Sequence, residues 1–209
     1  MQAQTPGGAR RPGLGDGARF LKSVVAAPRL TGAVAPSGRA LARAMAAAAG
    51  PPAHGLIVEL GPGTGPVTRS LIEAGVQRER LVLVEYDPGF CRLLSQRFAP
   101  AKIIHGDAYD LPRALADLTG QPIGAVVSSL PLLNQPTERR EKLIGDAFAL
   151  MGPSGLFVQF TYGLKSPIPR AACANRYSAI RSGAILLNLP PARVWTYRLE
   201  AHATRDATS

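Results

Sequence analysis

The sequence predicts an α/β fold in which a mostly parallel sheet is covered by helices on both faces and the last strand runs antiparallel. Three observations support this prediction. From residue 56 onward short apolar segments alternate with helical ones, the apolar segments are rich in Val, Ile and Leu, and a glycine-rich turn follows the first of them. Strands buried on both faces of a parallel sheet have this composition, and a crossover must connect each parallel pair. The 209 residues are enough for one such domain.

The first fifty residues differ in composition from the rest. Residues 1–17 are rich in Gly, Pro, Gln and Arg, which predicts a disordered tail. Residues 18–27 have apolar and basic side chains on opposite helical faces, which predicts a short amphipathic helix that ends before Pro28. A second helix is expected over residues 37–49. The predicted regions are a tail at 1–17, N-terminal helices at 18–50 and the α/β domain at 51–209.

Strands and helices then alternate as far as the fifth strand. Residues 184–201 break this rhythm, because two apolar runs there are separated by Pro190 and Pro191 and predict a hairpin that completes the sheet. The predicted strands cover residues 56–60, 81–85, 103–104, 125–127, 156–162, 185–187 and 194–197, and the predicted helices after the first strand cover residues 66–74, 90–98, 112–118 and 138–150.

The net charge of +10 is unevenly distributed along the chain. Residues 1–50 carry seven basic and one acidic residue, residues 51–150 carry ten and eleven, and residues 151–209 carry seven and two, so the three net charges are +6, −1 and +5. Basic flanks around a neutral middle indicate a polyanionic partner, either nucleic acid or an anionic membrane surface. Solvated arginines without a partner are the alternative.

Cysteine content and hydropathy limit the cellular context. Cys91 and Cys173 match neither a metal-binding nor a redox spacing, so we expect a reducing compartment and no metal site. No apolar run approaches the ~20 residues that span a bilayer, and the N-terminus lacks the apolar core of a signal peptide. The sequence therefore predicts a cytoplasmic protein.

The strongest motif follows the first strand, where Glu59 precedes Gly61, Gly63 and Gly65. Glycines at this point let the backbone approach a ligand at the N-terminus of a helix. A dinucleotide fingerprint requires G-x-G-x-x-G, whereas this turn has the shorter spacing G-x-G-x-G. An acid before that spacing resembles the first motif of Rossmann-like class I methyltransferases, which implies a loop around the amino-acid end of S-adenosylmethionine.

Two further acids follow strands in the order that this class requires. Glu85 ends the second strand, where a carboxylate can accept hydrogen bonds from both ribose hydroxyls. Asp107 follows the third strand, and the resemblance implies that it accepts from the adenine amine. S-adenosylmethionine is then the implied cofactor and S-adenosylhomocysteine its product. The implied cofactor-binding residues are Glu59, Gly61, Gly63, Gly65, Glu85, Tyr86, Asp107, Ala108 and Ser128.

The fourth strand runs into Ser-Ser-Leu-Pro-Leu at residues 128–132, where this class receives its methyl acceptor. Enzymes that methylate nucleobase amines carry Asn or Asp, then Pro and an aromatic residue, because a conjugated nitrogen needs a carbonyl acceptor and a stacking ring. The Leu-Pro core resembles the Asn-Leu-Pro-Tyr of rRNA adenine dimethyltransferases, but the two residues that serve the base are absent. An aliphatic amine does not need them, so nucleic acid is a disfavoured partner.

Residues 18 to about 201 are similar to the small bacterial phospholipid N-methyltransferases. The resemblance implies methylation of phosphatidylethanolamine, through mono- and dimethyl forms, to phosphatidylcholine at the anionic inner face of the cell membrane, with peripheral association and no obligate protein partner. An RNA methyltransferase and a non-catalytic anion-binding module remain the alternatives. The resemblance is clearest at residues 18–27, 30–37, 58–65, 128–132, 159–163 and 195–198.

The remaining expectations concern the lipid. The amphipathic helix can lie in a membrane interface or cover the cofactor as a lid. Its membrane residues would be Phe20, Leu21, Val24 and Val25, with Arg19 and Lys22. The candidates for the base that deprotonates the amine are Tyr177, Tyr162 and His105. The candidate substrate-binding residues are Arg176, Arg181, Lys165 and Leu130, and Arg176 beside Tyr177 is the preferred phosphate contact.

Overall fold

The computed structural model describes residues 36–52, 54–173, 176–188 and 191–200. The predicted tail and the amphipathic helix lie outside the described residues. The same is true of all the predicted membrane residues of that helix, namely Arg19, Phe20, Leu21, Lys22, Val24 and Val25.

The described part of the chain contains strands and helices in alternation. The strands are β1 (Leu56–Leu60), β2 (Leu81–Glu85), β3 (Lys102–His105), β4 (Ile123–Ser128), β5 (Leu156–Thr161), β6 (Tyr177–Arg181) and β7 (Arg193–Leu199). The α-helices are α1 (Pro36–Ala49), α2 (Pro66–Glu73), α3 (Pro88–Phe98), α4 (Leu111–Ala114), α5 (Thr137–Met151) and α6 (Arg170–Cys173). Short 3-10 turns occupy Arg78–Arg80, Ala116–Leu118 and Leu132–Asn134.

The strands form one seven-stranded sheet in the order β3-β2-β1-β4-β5-β7-β6. β1 to β5 are all parallel to one another, whereas β7 runs antiparallel to both β5 and β6. The strand order reverses between β1 and β4. Ligands of open α/β sheets bind outside the carboxyl ends of the strands at such a reversal, so the topology marks one end of this sheet as the functional end.

A separate hydrophobic core lies on each face of the sheet. Met45 of α1 and Leu71 of α2 belong to the core on one face, and Leu143 of α5 belongs to the core on the other. Successive strand residues alternate between the faces. Ile57 and Val58 are both fully buried and belong to different cores. This double burial is why the central strands are apolar throughout.

The helix after β2 starts two residues earlier than the sequence pattern predicts. The carboxylate of Asp87 accepts hydrogen bonds from the backbone amides of Gly89 and Phe90, at 2.7 and 3.0 Å. An aspartate in this position caps a helix by satisfying its first free amides. Pro88 therefore occupies the first turn, which the apolar periodicity does not mark.

The prediction that residues 185–187 form the strand beside β7 is wrong. β6 at residues 177–181 pairs with β7, and Ile185 makes an isolated bridge to Ala192. Only Tyr177 among the β6 residues is buried, so this edge strand lacks the alternating pattern that predicts strands. Backbone pairing holds it in place, while Leu186 and Leu187 are exposed in the turn.

Candidate active site

Four of the predicted cofactor-binding residues lie at the functional end of the sheet. Glu59 is the penultimate residue of β1, Glu85 ends β2, Asp107 follows β3 and Ser128 ends β4. Leu60 at the end of β1 is in register with Ser128 and with Val84, the neighbour of Glu85. The parallel register therefore brings together side chains that are far apart in the sequence.

Three glycines of the loop after β1, here called the glycine loop, have a left-handed backbone conformation that other residues adopt only with strain: Gly61, Gly63 and Gly65. Gly61 and Gly65 have φ values of +65° and +82°. A Cβ atom on Gly61 would lie 2.8 Å from Cδ2 of Leu130, and one on Gly65 would lie 2.3 Å from Cε2 of Phe98. The glycine loop is therefore tightly packed between α3 and the loop at residues 128–132, here called the acceptor loop, and α2 begins directly after it at Pro66.

Glu85 fixes the shape of the glycine loop. Its side chain is buried, and Oε2 accepts a hydrogen bond of 3.0 Å from the backbone amide of Gly63. Oε1 accepts from the amides of Tyr86 and Asp87, at 2.8 and 2.9 Å. The sequence predicts a ribose-binding carboxylate here, and the structure adds that the same carboxylate joins the end of β2 to the loop.

Glu59 is a fully buried acid with one unsatisfied oxygen. Oγ1 of Thr68 in α2 donates a 2.6 Å hydrogen bond to Oε2, while Oε1 has no partner among the described residues. Burial raises the pKa of Glu59 to about 8, because desolvation outweighs the hydrogen bond from Thr68. The free oxygen beside the glycine loop can accept from a cationic donor. Nothing in the sequence pattern indicated that Thr68 would contact Glu59.

Asp107 is held by an arginine that sequence reasoning missed. Oδ1 accepts from the amide of Tyr109 at 2.9 Å, and Oδ2 lies 3.3 Å from Nη2 of Arg139 in α5. The Arg139 guanidinium also stacks 4.2 Å from the centre of the Tyr109 ring. Both ionic side chains are over a third exposed, so the pair contributes little to stability. Ala108, the next predicted residue, is buried in the core.

His105 and Tyr86 form a separate pair at the β3 edge of the sheet. Nε2 of His105 lies 2.9 Å from the carbonyl oxygen of Tyr86, and the ring centres are 6.5 Å apart. Three strand spacings separate β3 from β4, which is roughly 14 Å. Tyr86 thus lies next to the cofactor acid Glu85, whereas His105 is not brought to the acceptor loop.

The acceptor loop after β4 is anchored by a buried glutamine of β5. Nε2 of Gln159 donates to the carbonyl oxygens of Leu130 and Phe160, at 2.9 and 2.8 Å. Ser128 is fully buried, and its Oγ accepts from the amide of Leu130 at 3.4 Å. Gln159 was missed, although a glutamine within an apolar strand is itself an indication of a buried hydrogen bond.

Two buried polar atoms near the acceptor loop lack partners among the described residues. They are Oε1 of Gln159 and Nε1 of Trp195, and these two residues are paired across β5 and β7. One atom is an acceptor and the other a donor. A polar ligand could satisfy both, because leaving buried polar groups unpaired is unfavourable.

The structure does not bring Tyr177 or Arg176 to the acceptor loop. Tyr177 pairs with Leu199, two positions beyond the pair of Phe157 and Tyr197, so it lies roughly 20 Å from the carboxyl end of β5. Its ring stacks on Phe148 in the core, with centres 5.0 Å apart. Arg176 lies over the Tyr177 ring at 5.6 Å. The reversal of direction at β7 places the start of β6 at the opposite end of the sheet.

Other predicted acceptor residues do lie at the functional end. Tyr162 directly follows β5, is 42% exposed and contacts the Phe160 ring edge to face. Lys165 is exposed in the same loop. Nη1 of Arg181 donates to the carbonyl oxygen of Leu164 at 3.4 Å, which ties the end of β6 to this loop.

Comparison with known proteins gives one family match and several related chains. A family model described as ribosomal RNA adenine dimethylase matches residues 42–131. The chain is 36% identical over 109 residues to an ornithine lipid N-methyltransferase from Singulisphaera acidiphila, covering 51% of this chain and 57% of the relative. It is 38% identical over 101 residues to ribosomal RNA small subunit methyltransferase A from a Synechococcus species, covering 42% and 34%. The chain thus spans less than two thirds of either relative.

Solved structures resemble the described fold across most of its length. A TehB-like S-adenosylmethionine-dependent methyltransferase from Corynebacterium glutamicum has a TM-score of 0.57 at 15% identity, covering 88% of this chain and 98% of that one. An O-methyltransferase from Bacillus cereus has a TM-score of 0.57 at 14% identity, covering 86% and 89%. This is the class I methyltransferase fold. The fold class predicted from the sequence is confirmed.

Within the methyltransferase fold, the described residues give two further findings. No described helix combines the length and the apolar character needed to cross a membrane. No group of His, Cys, Asp and Glu side chains in the described ranges is arranged to hold a metal ion.

Proposed function

We propose that this chain transfers methyl groups from S-adenosylmethionine to the amine of a lipid headgroup, with phosphatidylethanolamine and its mono- and dimethyl forms as substrates. The observation that supports an aliphatic amine most directly is the loop at residues 128–132. Ser128 and Leu130 are buried there, and Leu130 lies against Gly61 of the glycine loop. The loop offers neither an amide side chain nor an aromatic ring to a nucleobase.

S-adenosylmethionine is the cofactor, and the residues at the functional end fit it. Its sulfonium supplies an electrophilic methyl group. The unsatisfied oxygen of Glu59 suits an ammonium, and Glu85 and Asp107 offer carboxylates to the hydroxyl and amine donors of a nucleoside. The narrow glycine loop beside them has no room for larger side chains.

Replacing either nucleoside acid tests the cofactor site. Glu85→Ala and Asp107→Ala should each weaken binding of S-adenosylmethionine by about tenfold or more, because donors of the bound cofactor lose their acceptor. Isothermal titration calorimetry measures this directly. Glu79→Ala, at an exposed acid outside the site, is the matched control. Unchanged affinity in both site variants would refute the assignment.

The amine must lose a proton before it attacks the methyl group in line. The pKa of an alkyl ammonium is about 10, so a base or the lipid phosphate has to accept that proton. We propose Tyr162 for this role, because of the three sequence candidates it is the one at the end of β5 beside the acceptor loop. Burial of the loop side chains around Leu130 helps to exclude water during transfer.

The headgroup has polar partners available near this loop. Lys165 is exposed after β5, and Arg181 reaches the carbonyl oxygen of Leu164 in the same loop, so both cations can meet a phosphate. The unpaired donor of Trp195 and acceptor of Gln159 lie on the neighbouring strands. The Trp195 ring also suits a methylated ammonium through cation–π attraction.

The relative named as an ornithine lipid N-methyltransferase supports a lipid amine as the acceptor. It shares 36% of 109 aligned residues with this chain. Its name concerns a different headgroup, so it favours the class of acceptor rather than phosphatidylethanolamine in particular. An anionic phospholipid surface is the partner that a lipid substrate implies.

An RNA methyltransferase is the second candidate function. The family match at residues 42–131 and the net charge of +10 favour it. The matched segment ends inside the acceptor loop at Pro131, so it covers the cofactor motifs and stops short of the rest of the acceptor side. Without a side chain that accepts from a base amine, we rank this candidate below lipid methylation.

One experiment separates these functions. Purified chain is incubated with methyl-labelled S-adenosylmethionine and, in separate reactions, with phosphatidylethanolamine vesicles, ornithine lipid vesicles and total RNA. We expect label in mono-, di- and trimethylated phosphatidylethanolamine, and none with Glu85→Ala. Label in ornithine lipid alone would correct the headgroup, and label in RNA alone would overturn the lipid proposal.

A further inference from the structure

Three leucines at the functional end of the fold are exposed to solvent. Leu164 is 69% exposed, Leu186 76% and Leu187 79%. Leu164 lies in the loop after β5, and the other two form the turn between β6 and β7. Single exposed leucines are common, but a group of them at a ligand-binding end indicates an interaction surface.

The strand register places these leucines at the functional end of the sheet, where the cofactor acids also lie. Thr161, the last residue of β5, pairs with Arg193, the first residue of β7. The turn of residues 185–188 precedes β7 and is closed by the bridge from Ile185 to Ala192. It therefore projects past the carboxyl end of β5, where Leu164 also lies.

The segment that carries these leucines is rich in basic residues. From residue 147 to residue 199 the sequence contains no Asp or Glu, and it contains six basic residues. Three of them lie toward the functional end, since Lys165 follows β5, Arg181 ends β6 and Arg193 begins β7. Nη1 of Arg181 donates to the carbonyl oxygen of Leu164, so cation and exposed leucine are adjacent.

We propose that this leucine rim, defined as Leu164, Lys165, Arg181, Leu186 and Leu187, docks the protein on an anionic lipid bilayer. The leucines enter the boundary between headgroups and acyl chains, and the cations contact lipid phosphates. The proposal deepens the proposed function and rests on it, because a lipid acceptor gives the catalytic end a reason to face the bilayer.

The chemistry of the rim favours a bilayer over RNA. Single-stranded RNA is bound by aromatic rings that stack on bases, whereas the exposed apolar side chains of the rim are aliphatic. Exposed aliphatic side chains beside cations match the layered chemistry of a membrane interface. Tyr162, which is 42% exposed beside the rim, suits the same interface.

Docking through the rim would turn the acceptor loop toward the membrane. Leu133 is 49% exposed directly after that loop and lies on the same side as the rim. A headgroup amine could then reach the site without the lipid leaving the bilayer. The rim is thus a second contact besides the predicted amphipathic helix.

The first test measures partitioning of the full chain onto vesicles of phosphatidylcholine and phosphatidylglycerol, which lack an amine substrate. Leu186→Asp with Leu187→Asp should lower the partition coefficient by about tenfold or more, since two apolar side chains no longer enter the bilayer. Ile180→Asp is the matched control, because Ile180 is 66% exposed but lies further back along the edge strand β6, where its partner Thr196 also pairs with Val158 in the middle of β5. A double variant that partitions like the parent overturns the proposal.

The second test reads insertion directly. An indole introduced by Leu187→Trp should shift its fluorescence to the blue on these vesicles and be quenched by lipids brominated on the acyl chains, while Ile180→Trp should show neither effect. Absence of both effects at position 187 overturns the proposal. So does loss of RNA binding in the double aspartate variant with unchanged vesicle binding, which would assign the rim to RNA. Neither test measures methyl transfer. Failure of the proposed function would appear instead in the labelling experiment, as an absence of label in the lipids.

Discussion

Glu59 is the residue whose charge depends most on what occupies the site. Burial raises its pKa to about 8, so in the free protein Glu59 is a protonated acid at neutral pH. A cationic donor at the free Oε1 would favour the carboxylate. We therefore predict that binding of S-adenosylmethionine at pH 7 releases a proton. Calorimetry in buffers of different ionisation enthalpy measures this release, and Glu59→Gln should abolish it. Proton uptake by the parent would contradict the assignment.

The same pKa gives a prediction for stability. The ordinary pKa of a glutamate is 4.5, whereas folded Glu59 keeps its proton up to about pH 8. Between these values the unfolded chain binds fewer protons at this residue, so this acid lowers the stability of the free protein as pH rises from about 4.5 to 8. The melting temperature of Glu59→Gln should lack this part of the pH dependence. Parallel curves for the two proteins would be the contrary result.

Gln159 controls the acceptor loop without belonging to the cofactor motifs. Gln159→Leu would leave the buried carbonyl oxygen of Leu130 without its 2.9 Å hydrogen bond. We expect methyl transfer to slow by about tenfold or more, while the affinity for S-adenosylmethionine changes much less. Gln121→Leu, at an exposed glutamine, is the control. If the rate and the cofactor affinity fell equally, Gln159 would support the fold in general rather than the acceptor loop in particular.

At the scale of elements, two glycine substitutions test how tightly the glycine loop is packed against α3. Gly65 and Gly120 have nearly equal φ values of +82° and +83°, but a Cβ atom would meet Phe98 only at Gly65. Gly120→Ala should cost about 1 kcal/mol from backbone strain. Gly65→Ala should cost about 2–5 kcal/mol, because overlap with the ring is added.

Urea denaturation compares the two variants, and cofactor titration follows for each. We expect Gly120→Ala to bind S-adenosylmethionine like the parent and Gly65→Ala to lose binding, because the loop and the start of α2 must shift. Similar stabilities for the two variants would show that Phe98 moves away readily and that the loop is not tightly packed against it.

The elements themselves were predictable where the pattern is local. The strands β1 and β2 match the predicted bounds, and α5 differs by one residue at each end. The start of α3 and the strand β6 were not predicted correctly. A single capping side chain at Asp87 decides the first, and backbone pairing with β7 decides the second. Neither the cap nor the backbone pairing produces a periodic pattern of apolar residues that could be read from the sequence.

For the whole molecule, we predict that vesicle binding depends on the segment at residues 18–27 as well as on the leucine rim. Phe20→Glu with Val24→Glu should reduce flotation with anionic liposomes and leave cofactor affinity nearly unchanged. Both basic flanks contribute long-range attraction, which salt screens as the Debye length falls from ~10 Å at 0.1 M to ~3 Å at 1 M. Ser23→Glu, outside the predicted apolar face of the same segment, is the control. Flotation like that of the parent would make this segment a lid rather than an anchor.

The sequence by itself determined the fold class, the cofactor motifs and their order, because strand composition and glycine spacing are local properties of the chain. Only the tertiary structure decided which side chains share the acceptor end. Tyr177 is only 16 residues after the end of β5, yet the antiparallel pairing of β6 with β7 places it at the opposite end of the sheet. Gln159 meets Leu130 from 29 residues away, and Arg139 meets Asp107 from 32. Such contacts depend on strand register, which arises from the whole sheet rather than from any one segment.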